Sequence, residues 1–227
     1  MKFTVIELLR TGWLRPKPTN ERPLASVVLV VEGMHDMEFL RRISRVLHAG
    51  NQRLPDLGVM EQAGQLLFLP SGGGDVRAWA QRFAVLSVPR VYLFDRELPP
   101  ETGVRLQAAA IVNQRANCRG FVTAKRAPEN YLHASVLLEI RGIDLAFGDQ
   151  DDVPERVARD CCAKDPSHAP WEELTSRARR RLRDRAKRWL NREAVDRMTP
   201  ERQAQRDPNG EVRGWLATIA ELAGRQP

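Results

Sequence analysis

The chain is organised around one run, Val27-Val28-Leu29-Val30-Val31-Glu32-Gly33-Met34-His35-Asp36. Five consecutive apolar residues, four of them valine, describe a short strand buried on both faces. Past Gly33 the spacing becomes helical, with Phe39, Leu40, Ile43, Val46 and Leu47 on one face. Glu32 and Asp36 therefore flank a strand-to-helix turn, where open α/β sheets place their ligands.

A strand buried on both faces needs parallel neighbours and helices above and below, and the rest of the chain offers them. Leu66-Leu67-Phe68-Leu69 reads as a second strand, ended by Pro70; Val91-Tyr92-Leu93-Phe94 is a third and Gly120-Phe121-Val122-Thr123 a fourth. Ser71-Gly72-Gly73-Gly74-Asp75 is a turn after the second strand, and Asp75 suits the N-cap of a helix carrying Val76, Trp79, Phe83 and Leu86. Pro99-Pro100 opens another helix, with Val104, Leu106, Ala109, Ile111 and Val112. This alternation predicts βαβ units and a mainly parallel sheet.

From about Ser135 the pattern is helical. Val136 to Leu145 and Val153 to Ala158 suggest two helices. Trp171, Leu174, Ala178, Leu182, Ala186 and Trp189 share one face of a long helix, and a last helix runs from about Glu211 to Ala223. The expected division is an N-terminal arm over 1–24, an α/β domain over 25–145 and a basic helical extension over 146–227. Pro16, Pro18 and Pro23 favour an extended arm.

Charge is distributed unevenly. The 227 residues carry a net +7, yet Arg177 to Arg192 holds nine Lys/Arg against the single acid Asp184. That segment nets +8 and leaves the remainder near −1. The field belongs to one helix, so Arg177, Arg180, Arg181, Arg183, Arg185, Lys187 and Arg188 are expected to face a phosphate-bearing partner. No apolar run approaches the length of a bilayer span, and no cleavable leader is read, so a cytoplasmic protein without a membrane partner is expected. Cys118, Cys161 and Cys162 lack metal spacing and the four histidines are scattered, which argues against zinc. No GxxxxGK[ST] is present for ATP hydrolysis.

Acids gather at strand ends: Glu32 with Asp36, Asp95 with Glu97, and Glu129 beyond the fourth strand. In a parallel sheet these ends share one edge. Asp95 and Glu97 are two apart, so an extended backbone would point both the same way. Two like charges 4 Å apart repel by about 1 kcal/mol in water and about 4 kcal/mol at an effective dielectric of 20. Such a set protonates or takes up a hard divalent cation, Mg²⁺ or Mn²⁺.

The combination resembles a known family. Glu32-Gly33-x-x-Asp36 after an apolar strand and Asp95-x-Glu97 after another resemble the Toprim domain of topoisomerases, primases and related nucleases. The likeness is closer to OLD-type (overcoming lysogenization defect) nucleases, through Asp36, the Gly72-Gly73-Gly74 turn and Glu129-Asn130-Tyr131. It covers about residues 26–133. One departure stands out: the family's DxD is here Asp95-Arg96-Glu97.

The resemblance implies a Toprim-like three-layer α/β fold and metal-dependent phosphodiester hydrolysis, with DNA favoured over RNA. It implies Glu32, Asp36, Asp95, Glu97 and Glu129 as ligands of Mg²⁺ or Mn²⁺, two ions being expected. Glu32 is open between ligand and general base. Lys125, and after it Arg126, would offset charge on the phosphate. The Gly72, Gly73 and Gly74 turn would lie against phosphate. OLD-type nucleases carry an ATPase ahead of this part, whereas only residues 1–24 precede it here. The implied protein is a stand-alone effector of an anti-phage defence system, governed by a separately encoded ABC-type ATPase. The competing reading is a catalytically silent Toprim-like subunit that docks on an ATPase or nucleic acid.

Overall fold

In the computed structural model, β1 (Val27–Val31) is buried along its whole length and lies between two parallel partners. These are β2 (Leu66–Pro70) and β3 (Arg90–Phe94), with Leu29 opposite both Phe68 and Val91. β4 (Cys118–Val122) pairs in parallel with β3, giving the order β2-β1-β3-β4. The structure describes residues 25–72, 76–83, 86–165, 167 and 169–224. The expected arm over 1–24, Gly73, Gly74 and the proposed Asp75 cap lie outside these residues.

Nine α-helices surround the sheet among the described residues. They are α1 (Met34–Gly50), α2 (Leu57–Gln62), α3 (Val76–Arg82), α4 (Glu101–Asn113), α5 (Ala134–Arg141), α6 (Val153–Lys164), α7 (Ser176–Trp189), α8 (Pro200–Arg206) and α9 (Glu211–Gly224). The alternation of β1 distributes its side chains to two cores. Val28 and Val30 meet Ala80 of α3 and Ala108, Ala109 and Val112 of α4. Val27, Leu29 and Val31 meet Phe39, Leu40 and Ile43 of α1 together with Trp189, Trp215, Leu216 and Ile219 from the C-terminal helices. The result is the expected three-layer α/β architecture with a parallel central sheet and C-terminal helices. The C-terminal helices share a core with β1, so packing runs without a gap across residue 145. Among the described residues no helix is long and apolar enough to cross a membrane.

Two local details differ from the sequence reading. The long helix expected from Trp171 begins at Ser176, because the Thr175 hydroxyl accepts the Ala178 N–H at 3.2 Å and Trp171–Glu173 forms a separate 3-10 turn. Helices α2 and α8 went unread; at six and seven residues they are too short to show a period.

The sheet and α4 approach closely at Gly120. A Cβ there would lie 3.0 Å from Ala109 Cα and 3.1 Å from its carbonyl oxygen, both backbone atoms. Gly120→Ala is expected to destabilise the fold by about 1–3 kcal/mol through overpacking. Gly103→Ala on the same helix, where an added Cβ meets nothing within 4 Å, should be neutral or stabilising by up to about 1 kcal/mol. Urea unfolding midpoints check the pair; equal midpoints would show that α4 simply moves away.

Candidate active site

The strand order reverses between β1 and β3, since the chain passes from β1 to β2 on one side and then to β3 on the other. The crevice beyond their carboxyl ends is the switch point of an open α/β sheet. Glu32 follows β1 and Asp95 follows β3, and the Asp95 N–H donates to Glu32 Oε1 at 3.2 Å. Arg105 of α4 grips the same carboxylate, donating from Nε to Oε1 at 2.9 Å and from Nη2 to Oε2 at 3.1 Å. Behind it, the Ser71 hydroxyl and the Gly72 N–H both donate to the Glu32 carbonyl at 3.1 Å. Gly72 sits at φ +74°, a left-handed conformation that favours glycine.

Asp36 lies in the first turn of α1 and is 3% exposed. Its Oδ2 accepts the Gly33 N–H at 2.7 Å, while Oδ1 has no partner. Burial pushes its pKa up to about 6; Lys187 opposes that shift, and Glu129 and Glu32 add to it. Asp95 is 5% exposed, and burial, then Asp36 and Glu32, raise it well above the ordinary carboxylate range. Glu129, fully buried on the one-turn helix Pro128–Tyr131, completes the set. Its Oε1 accepts Asn191 Nδ2 at 2.5 Å and lies 3.6 Å from Lys187 Nζ, and its Oε2 has no partner.

Lys187 is the cation among these acids. Glu129 first, then Asp36 and Asp95, raise its pKa against the opposing effect of burial, so it stays charged. It reaches the cluster from α7, which ends in a π-helical turn over Leu190–Ala194. π-turns recur at functional sites because the extra residue re-aims nearby side chains. Here Asn191 donates both to Glu129 and, at 2.8 Å, to the Lys187 carbonyl.

Other expected site residues are placed differently. Glu97 has φ +52°, so the extended-backbone argument that aimed it alongside Asp95 does not hold. Its N–H donates to the Arg126 carbonyl at 3.0 Å, and its carboxylate accepts Arg126 Nε at 3.4 Å. Lys125 Nζ pairs with Asp149 at 2.6 Å and lies over the Tyr131 ring. In the basic helix, Arg177, Arg180, Arg181, Arg185 and Arg188 are exposed, with no ion pair among the described residues. Arg183 instead makes a two-pronged contact with Asp152, its Nη2 at 2.9 Å and its Nε at 3.2 Å. Lys187 faces inward.

Arg105, Asn191 and His35 were not read as site residues from the sequence. Burial, then Lys187, lower the His35 pKa, so the imidazole is neutral at pH 7 beside the cluster. Lys187 did leave a signal. With Arg179 and Arg183 it forms an i, i+4, i+8 row along the edge of the apolar face, and it is the one lysine in an arginine run. Arg105 left none.

Oxygen-only donors and two unpartnered buried carboxylate oxygens suit a hard divalent cation. In the present rotamers, among the described residues, no three His, Cys, Asp or Glu side chains stand close enough to hold one ion. Arg105 and Lys187 engage Glu32 and Glu129 instead.

No protein-family model matches the sequence, and no curated protein matches it. Solved structures do. The C-terminal region of the Burkholderia pseudomallei OLD protein is similar over 88% of this chain and 99% of that one, with a TM-score of 0.52 and 14% identity. The C-terminal region of the Xanthomonas campestris pv. campestris OLD protein is similar over 88% and 94%, with a TM-score of 0.47 and 14% identity. The chain's structural neighbours are thus C-terminal regions of OLD proteins, and the Burkholderia likeness shows a shared fold.

The buried acids make stability depend on pH. Between the ordinary value of 3.8 and about 6, the folded chain keeps the Asp36 proton that the unfolded chain has lost. Stability therefore falls as pH rises through this window, by on the order of 2–3 kcal/mol, and stays lower above it. In chelator, Asp36→Asn should make that slope shallower, leaving the part that belongs to Asp95, and raise the melting temperature at neutral pH. A wild-type slope in the variant would assign the titration to another group.

Proposed function

We propose that this chain is a divalent-cation-dependent nuclease that hydrolyses nucleic-acid phosphodiesters, with DNA favoured over RNA. One observation carries the reading: Glu32, Asp36, Asp95 and Glu129, from three separate segments, gather at the switch point of the sheet, with Arg105 on Glu32 and Lys187 facing the other three. Structural carboxylates have no reason to gather where burial and neighbouring acids raise the pKa of Asp36 and Asp95. Groups that bind a cation and a phosphate do.

Asp36, Asp95 and Glu129, with Glu32, are the residues that would hold Mg²⁺ or Mn²⁺. When bound, the cation supplies Lewis-acid polarisation of the phosphate and lowers the pKa of a water. Lys187 donates to a non-bridging phosphate oxygen and offsets charge that grows in the transition state, a role expected earlier of Lys125. Lys125, held by Asp149, then stabilises the loop that carries Glu129. The exposed arginines of α7 hold the nucleic-acid backbone, and Lys187 on the same helix connects that surface with the acids. The resemblance in the motifs adds control by a separately encoded ABC-type ATPase, a role in anti-phage defence and a cytoplasmic setting.

A specific observation favours a second reading, that of a silent docking subunit: Glu32 and Glu129 are both already paired with cations. A plasmid-nicking assay with Mg²⁺ or Mn²⁺ separates the two. Nicking should fall at least about 100-fold in Glu32→Ala and Asp95→Ala, and about 100- to 1,000-fold in Lys187→Ala. No cleavage of DNA or RNA, even with a candidate ATPase added, would establish the docking subunit.

The basic helix has its own test. The triple variant Arg177→Ala, Arg181→Ala, Arg188→Ala should reduce the slope of log affinity for duplex DNA against log salt by about 2–3. An unchanged slope would place nucleic acid elsewhere.

A further inference from the structure

The charge balance at the sheet edge is specific. Glu32, Asp36, Asp95 and Glu129 bring four negative charges when ionised, and Arg105 and Lys187 bring two positive ones. Glu97 makes its ion pair outside this set, with Arg126, which shares Asp152 with Arg183. With all four ionised, the remaining −2 equals the charge of a single divalent ion.

The two resident cations divide the site. Lys187 acts on Glu129, Asp36 and Asp95, whereas Arg105 acts on Glu32, Glu97 and Asp95. Both unpartnered carboxylate oxygens, Asp36 Oδ1 and Glu129 Oε2, belong to the Lys187 half. In the Arg105 half, the guanidinium takes both oxygens of Glu32, and the Asp95 N–H takes a further lone pair. A guanidinium keeps its charge at any working pH, and its planar fork matches a carboxylate. A lysine on a four-carbon stem moves aside more readily.

We propose that Arg105 takes the place of a second metal ion beside Glu32, so that the site binds one divalent cation, through the Asp36, Asp95 and Glu129 half. This revises the two ions expected from the sequence, and it rests on the cation-dependent reading given above. Arg105 is then a positioning residue and a fixed counter-ion in one.

The test is a Mn²⁺ titration of the whole chain, with free Mn²⁺ followed by electron paramagnetic resonance and folding checked by circular dichroism. Wild type should bind one Mn²⁺ per chain, and Asp95→Asn should weaken that binding at least about tenfold. Arg105→Gln should bind two, and Arg105→Lys, which keeps the charge without the fork, should remain at one. Two ions in wild type would overturn the proposal and leave the cation-dependent reading intact. Weaker binding of a single ion by a folded Arg105→Gln would also overturn it, because Arg105 would then only orient Glu32. No Mn²⁺ bound by wild type would overturn the cation-dependent reading, and this proposal with it.

Discussion

Repulsion among carboxylates held at one sheet edge is the constraint on which the rest of the structure depends. At an effective dielectric of 20, two charges 4 Å apart repel by about 4 kcal/mol, a large share of the stability of an ordinary domain. The fold offsets this in several ways at once. Lys187 and Arg105 bring opposite charge, and the N–H groups of Gly33 and Asp95 and the Asn191 amide donate hydrogen bonds. Asp36 keeps its proton to about pH 6. The unpartnered oxygens of Asp36 and Glu129 show that the compensation is incomplete.

Much of the compensation comes from the C-terminal helices, which makes them part of the site and not an accessory to it. α7 delivers Lys187, and the π-turn after it delivers Asn191. The Glu129-Asn130-Tyr131 segment connects the two halves of the chain, each residue in a different way. Glu129 enters the acid cluster, and Asn130 Nδ2 donates to the carbonyls of Gly148 and Asp151. Tyr131 donates its hydroxyl to Glu211 and packs edge-on against Trp215, 5.3 Å between ring centres. Asp207 accepts the N–H groups of Glu211 and Val212 and so fixes the start of α9 beneath this contact. The position of Glu129 is thus set by α9 and by the turn after α7 as much as by β4.

The sheet was legible in the sequence because each strand is a short apolar run and each connection restores helical spacing. Glu32 and Asp95 were legible because a carboxylate directly after a buried strand has one place to go, the carboxyl edge. Lys187 was grouped with its arginine neighbours because composition does not say which edge of an amphipathic helix meets which loop; that depends on how α7 packs. Arg105 lies between two apolar residues of α4, and its role comes from the neighbouring strand β1, more than 70 positions earlier. Thr175 shortened one expected helix at its start through a single hydroxyl, a capping signal that the apolar period of Trp171 to Trp189 concealed.

The difference between Asp95-Arg96-Glu97 and the DxD of the family it resembles has a physical counterpart at Glu97. A left-handed backbone at φ +52° turns this residue away from the extended path on which an x-spaced pair would converge. The longer glutamate side chain then reaches Arg126, which also contacts Asp152. Asp152 in turn caps α6 through the Glu155 N–H at 2.9 Å and holds Arg183 of α7. The second acid of the motif therefore contributes to the junction that sets α7, and α7 sets Lys187. A glutamate at this position therefore places its negative charge on the scaffold that holds Lys187, and not among the acids that Lys187 faces.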